Sequence, residues 1–206
     1  MAENPNACAL ITKGRGLDCN RIAGGIQYIY FGVADTTEVT QSWTGVTAGW
    51  TTDIDMDPLA SGTNTDLYRY ALPRGTASFT DTLVGSRENG TIFYTPTVQM
   101  VLDKLDGAMQ NEMRLLGATQ VVVFCELNQM GGPGVADGHN VIFCLGGING
   151  MQLNAGTDTS GAALGDRNGY DLTWDGVEAT PATQVIDYTT DPFDNLPTGA
   201  INIIKV

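Results

Sequence analysis

A chain of 206 residues that is 42% hydrophobic can bury a substantial core, and 26 glycines without a Gly-x-x period exclude collagen and disfavour long helices. Twenty-three acidic against ten basic residues leave a formal charge of −13, which disfavours groove or phosphate-backbone binding to nucleic acid, because every approach meets repulsion. That balance suits either solubility at high concentration or a surface that lies close to nucleic acid without holding it.

Residues 1–21 are polar and broken by Pro5, Gly14 and Gly16, which predicts an arm or loop whose order depends on a neighbour. This segment lacks an apolar signal core, and no stretch approaches the ~20 apolar residues of a membrane span, so a soluble chain used without export or membrane insertion is expected. Gly24 to Val33, GGIQYIYFGV, alternates with Ile26, Tyr28 and Tyr30 on one side and Ile29, Phe31 and Val33 on the other. Both faces are apolar, so the strand is expected to be covered on each.

The segment 34–65 is rich in Thr, Ser, Asp and Gly, with Trp43, Val46, Trp50, Ile54 and Met56 scattered through it. A connection of that length is rarely idle. It reads either as a hairpin that projects onto a partner subunit or as one folded over its own core. Within it Asp53, Asp55 and Asp57 share the spacing that opens an EF-hand loop, but Pro58 stands where glycine is required and Asn64 where a bidentate glutamate is needed. Aspartates so spaced more often solvate a turn.

Asp66 to Leu72 and Gly75 to Val84 read as two strands joined at Pro73-Arg74. The second places Ala77, Phe79 and Leu83 on one face and Thr76, Ser78, Thr80 and Thr82 on the other, the pattern of a half-exposed antiparallel strand. Thr91 to Tyr94 reads as a further short strand. From Thr95 a helix is predicted to run to Gly117, with Thr95 as N-cap and Pro96 at the first helical position. Its stripe is Val98, Leu102, Leu105, Met109, Met113 and Leu116. Gln120 to Leu127 follows as a buried strand, expected to pair with Asn140 to Gly147 across a long loop.

Residues 148–170 are small or polar and predict a second long loop. An Asn-Gly turn signal at 168–169 leads into a strand with Leu172 and Trp174 inward and Asp171, Thr173 and Asp175 outward. Ala182 to Tyr188 and Ala200 to Val206 are expected as a last strand pair.

Cys8, Cys19, Cys125 and Cys144 show no CxxC spacing, and His139 is the one histidine, so the ligands of a Cys/His zinc site are lacking. Cys125 and Cys144 lie in apolar strand patterns and read as small buried hydrophobes with free thiols. His139 has no serine or cysteine partner near it in sequence and reads as a loop residue. Nucleophile elbow, P-loop and dinucleotide motifs are missing, and the glycine pairs lack the strand-to-helix context of a phosphate cradle. Neither an enzyme nor a cofactor is expected.

Taken in order, Cys19 with GGIQYIYF (Gly24 to Phe31), LYRYALPRGTASFTDTL (Leu67 to Leu83), ENGTIFY (Glu88 to Tyr94), MVLDKLDGAMQNEMRLL and NGMQLNAGTDTSGAALGDRNGYDLTWDG (Asn149 to Gly176) resemble phage tail tube proteins, in particular the tail proteins of Bacteroidota phages. The resemblance implies a mainly β chain, an antiparallel β-sandwich or barrel with one flanking α-helix at about 95–117, forming a single tail-tube-like domain over 1–206. It further implies a virion structural protein, assembled in the host cytoplasm, that forms hexameric rings stacked into a tube. Its partners would be itself, other tail or neck proteins, and genomic DNA passing through without sequence-specific binding. The assembly contacts expected are Trp43, Val46, Trp50, Ile54 and Met56 in the first loop and Met151, Leu153, Leu164 and Arg167 in the second. Two other readings stand beside it: a connector, tail terminator or baseplate ring of the same fold, and a calcium- or carbohydrate-binding β-sandwich adhesin.

Overall fold

The computed structural model describes residues 23–34, 37–43, 52–58, 66–86, 88–130, 139–185 and 202–205, with the backbone alone at 37–43 and 52–58. In chain order the elements are β1 (Ile26–Val33), β2 (Thr37–Trp43), β3 (Thr52–Pro58), β4 (Asp66–Ala71), β5 (Ala77–Ser86), β6 (Thr91–Asp103), α1 (Gly107–Ala118), β7 (Val121–Met130), β8 (Asn140–Leu145), β9 (Gln152–Thr159), β10 (Gly169–Asp175), β11 (Thr183–Val185) and β12 (Asn202–Lys205). They build two sheets that share no strand. The larger runs β12-β4-β1-β7-β8-β11, extended by the β3-β2 hairpin, and the smaller runs β5-β6-β10-β9.

The fold is mainly β, with two corrections to the expected architecture. Neither sheet closes on itself, so the chain is not a barrel. The smaller sheet is antiparallel throughout, but the larger is mixed, because β12 joins β4 and β11 joins β3 in parallel. The expected last strand pair is thereby split between distant places in one sheet. β4 and β5, the two strands joined at Pro73-Arg74, lie in different sheets, so the turn between them is a crossing rather than a hairpin.

β1 and β7 form the centre of the larger sheet. Ile29 and Phe31 point into the cluster between the sheets, and Tyr30 points into a second cluster on the other face with Leu67, Val122, Phe124, Ile142, Cys144 and Val185. The two-sided apolar pattern of β1 therefore has its physical cause. A bulge between Ile26 and Tyr28 adds one residue, which turns Ile26 to the same side as Ile29 and Phe31 rather than to that of Tyr30. β7 pairs with β8 as expected, Val123 opposite Leu145 and Cys125 opposite Phe143.

The predicted helix start is overturned. Thr95 and Pro96 lie in the middle of β6, and α1 begins twelve residues later at Gly107, capped by the Asp106 side chain, which accepts from the Ala108 amide. Residues 91–102 carry a period of two as well as a period of four: Val98 and Met100 are buried and Leu102 half-buried, and β-branched and aromatic residues crowd the same run. Pro96 is tolerated because its carbonyl accepts from Gly176, one residue past the end of the β10 ladder, and its missing N–H points the same way. Only the second half of the predicted stripe is helical. Leu105, Met109, Met113 and Leu116 pack on the inter-sheet core, and Gly117 lies inside the last turn against Leu153 rather than after it.

What stops β6 and starts α1 is the motif at 168–170. Lys104 turns into the left-handed region, its amide donates to the Asn168 carbonyl, the Leu105 amide donates to Asn168 Oδ1, and Tyr170 Oη donates to the Asp106 carbonyl. Gly169 faces Leu102 so closely that a Cβ on it would lie 2.0 Å from the Leu102 carbonyl oxygen. The backbone on both sides is fixed in a ladder, so neither can withdraw. Gly169→Ala is expected to lower stability by about 3 kcal/mol or more, read from urea unfolding followed by circular dichroism.

Candidate assembly surfaces

The smaller sheet has two unlike faces. Inward, Tyr170, Leu172 and Trp174 of β10 stand beside Val98 and Met100 of β6 and Ala77 and Phe79 of β5, all in the inter-sheet cluster. Outward, the alternate residues are Ser78, Thr80 and Thr82 on β5, Thr97 and Gln99 on β6, and Asp171, Thr173 and Asp175 on β10, facing Thr157, Ala155 and Gln152 of β9 in register. This outer face is mostly hydroxyls, amides and carboxylates, with Val101 opposite Asp171, Ala155 opposite Thr173 and, toward the hairpin end, Phe93 opposite Val84 as apolar members. Its flanking cation is Arg167, bound to Asp171 and raised above its ordinary range chiefly by that bond. β5 and β9 are the edges, and among the described residues neither has a partner strand on its outer side.

The two ends of this sheet also differ. At one end the β5–β6 hairpin outruns its cover. Leu83 continues the inner row of Ala77, Phe79 and Asp81, yet it is 60% exposed, and Ile92 is 68% exposed, while Val84 is exposed on the other face of the same hairpin end. Val177 and Ile148, also exposed, lie at the same end, because Glu178 bridges to Tyr94 and Asn149 donates to the Val177 carbonyl. At the opposite end, beyond the Asp103–Gly169–Thr159 rung, lies the 160–168 loop with a fully exposed Leu164. That loop is compact. Asp166 accepts from the amides of Ala162 and Ala163, and these bonds hold its carboxyl below the usual range.

The residues singled out in the sequence fall in several places. Trp43 ends β2, and Ile54 and Met56 lie on β3, so part of the 34–65 segment is paired strand rather than loop. The Asp53, Asp55 and Asp57 run is extended there too, opposite Ser42, Thr40 and Glu38, which is not the turn an EF-hand loop makes. Val46, Trp50, the 1–21 arm with Cys8 and Cys19, and the greater part of the 131–140 loop lie outside the described residues, as do the side chains of Trp43, Ile54 and Met56. The 148–170 segment is likewise not one loop, since β9 occupies Gln152–Thr159. Met151 is wholly buried and bridges Val121, so it offers no surface, and Leu153 is half-buried beside α1. Leu164 and Arg167 are on the surface of one end. The apolar hairpin end went unseen in the sequence, because Leu83 and Ile92 look like any other inward residue until the reach of the covering sheet is known.

One buried polar group is satisfied in a way that builds structure. Glu126, buried in β7, accepts from Tyr30 Oη at 2.7 Å and from Asn140 Nδ2 at 2.8 Å, and burial followed by this carboxylate pushes the Tyr30 phenol far above its ordinary value. Arg69 stacks over the Tyr28 ring at 4.5 Å. A cavity of ≈ 250 Å³ opens beside this region, lined by Gln27, Tyr28, Leu72, Arg74 and Asn128. Cys125 and Cys144 are free and buried, as expected, and burial raises both thiols well above the ordinary range. No family model matches this chain, and neither a curated protein nor a solved structure matches it.

Because the thiolate is the reactive form, Cys125 and Cys144 should resist alkylation by iodoacetamide at pH 8 in the native chain and react once it is unfolded. Peptide mapping by mass spectrometry with and without urea checks this for each cysteine separately.

Proposed function

We propose that the protein is a self-assembling structural subunit of a phage tail tube, in which copies form rings that stack into a conduit for DNA. The observation that carries this reading is the four-stranded sheet with a mostly polar, cation-poor outer face and, among the described residues, an edge strand at each side without a further partner. An edge strand is a template for another chain, and joining β5 of one copy to β9 of the next is a heterologous contact, which generates a ring if the rotation closes. The polar faces would then line the lumen. A wall rich in hydroxyls and carboxylates, with no lysine on it among the described residues, repels phosphate rather than binding it, so DNA slides. The formal charge of −13 has the same sign.

Stacking needs two different ends that fit each other, and the apolar hairpin end and the Leu164 loop end meet that need. The resemblance of GDRNGY and its neighbours to tail tube proteins points the same way, and in this role the protein belongs to the virion tail, with itself and other tail or neck proteins as partners. No catalytic residue or cofactor enters the proposal.

The test is negative-stain electron microscopy of purified protein across a concentration series. Rings and tubes of variable length are expected, and Leu83→Asp combined with Ile92→Asp should abolish the tubes while leaving the circular dichroism spectrum and cooperative unfolding intact. Single rings alone would assign a connector, terminator or baseplate role instead. A chain that stays monomeric at every concentration would overturn the reading.

A further inference from the structure

Residues 176–182 carry the chain from β10 in one sheet to β11 in the other, and two carboxylates hold this crossover. Its backbone is pinned to β6, with the Gly176 amide donating to the Pro96 carbonyl and Tyr94 and Glu178 exchanging bonds of 2.8 Å in both directions. At its far end the Ala182 amide donates to Asp81 Oδ2 at 2.8 Å. In its middle Glu178, only 4% exposed, turns inward and its Oε1 accepts from the Asn149 amide at 2.9 Å. Each carboxyl therefore uses one oxygen. The other two, Asp81 Oδ1 and Glu178 Oε2, are buried and accept no hydrogen bond from the protein.

The register explains why the two acids share this place. Asp81 pairs with Pro96 and Glu178 with Tyr94, two residues apart on the inner face of β6, so both acids point into the end of the space between the sheets. A cavity of ≈ 10 Å³ lies there, about the size of one water, lined by Pro96, Glu178, Pro181 and Ala182 with the Leu145–Gly147 turn. Around Glu178 the titratable groups are Asp81 from β5, Tyr94 from β6 and Cys144 from β8, and the remaining polar neighbours are amides of 148–150. Among the described residues no basic side chain bonds either acid.

We propose that Glu178 is a proton-dependent latch: with its carboxyl neutral the 176–182 crossover seats between the sheets, and ionisation beside Asp81 loosens that seat. A buried carboxylate with a bare oxygen and a second acid near it is expensive, whereas the protonated form puts its hydrogen on Oε2, the oxygen that lacks a donor. Burial, opposed by the amides of 148–150 and reinforced by Asp81, raises Glu178 above the ordinary carboxyl value. The folded chain then holds this proton more tightly than the unfolded one. The contribution is complete below about pH 4.5, the ordinary value, and is lost as pH rises through the raised one.

Glu178→Gln tests this, because glutamine keeps the acceptor for Asn149 and places a permanent N–H donor where Oε2 stands. Thermal unfolding should show the variant about 3 °C or more above the wild type at pH 8, with the gap closing by pH 4. Hydrogen exchange, corrected for its intrinsic pH dependence, should show the amides at 94 and 178 better protected in the variant at pH 8. Parallel curves of melting temperature against pH for the two proteins would overturn the proposal. So would wild-type protection at position 94 that stays constant from pH 4 to 8, a measurement that needs no variant. Both readouts are made on the monomer and stand apart from ring formation.

Discussion

The contact between Phe31 and Trp174 joins the central strands of the two sheets within the core between them. No strand is shared between the two sheets, so apart from the backbone bridge of Val121 to Met151 it is side-chain packing that joins them. Phe31 comes from β1 at the centre of the larger sheet and Trp174 from β10 at the centre of the smaller, with ring centroids 4.9 Å apart and planes tilted by 41°. Tyr70 meets Phe31 edge-on at 5.3 Å, and Phe79 meets Phe143 at 5.6 Å. Aromatic rings of this kind are large apolar payloads with preferred tilted geometries, so they fix the spacing of the layers as well as their attraction. The four half-buried apolar residues Leu105, Met109, Met113 and Leu116 bring α1 to the same cluster and close its margin.

That one-sided attachment sets the chemistry of the smaller sheet. Its inner face is spent on the core, which leaves the outer face free to be polar. The hairpin end extends beyond the larger sheet and exposes leucine and isoleucine, and at the place where cover ends the inner row of β5 changes from Phe79 to Asp81. There the carboxylates meet backbone amides rather than apolar side chains, Asp81 that of Ala182 and Glu178 that of Asn149. The acid pair and the apolar tip are thus two consequences of the same boundary, the line where the sandwich stops.

Much of the local order was legible in advance. The two-sided burial of β1, the inward Leu172 and Trp174, the pairing of β7 with β8, the terminal strand and the buried cysteines all follow from alternation and composition, since each depends on neighbours a few residues away or on a long run of apolar character. The boundary at 95–117 was not legible. Val98 and Leu102 satisfy both a period of two and a period of four, and the Thr95-Pro96 start signal is equally at home past the end of a ladder. The deciding partners, Asn168 and Tyr170, lie more than sixty residues away.

The sequence by itself determined that the chain is mainly β, that its centre is a strand buried on both faces, and that its surface is acidic. Alternation, glycine content and charge carry those facts locally. Which strands are neighbours, where the one helix begins, which apolar residues remain exposed and which acids are buried together were decided only by the tertiary structure. The reason is that each depends on where one sheet stops covering the other, a distance set by packing between residues far apart in the chain.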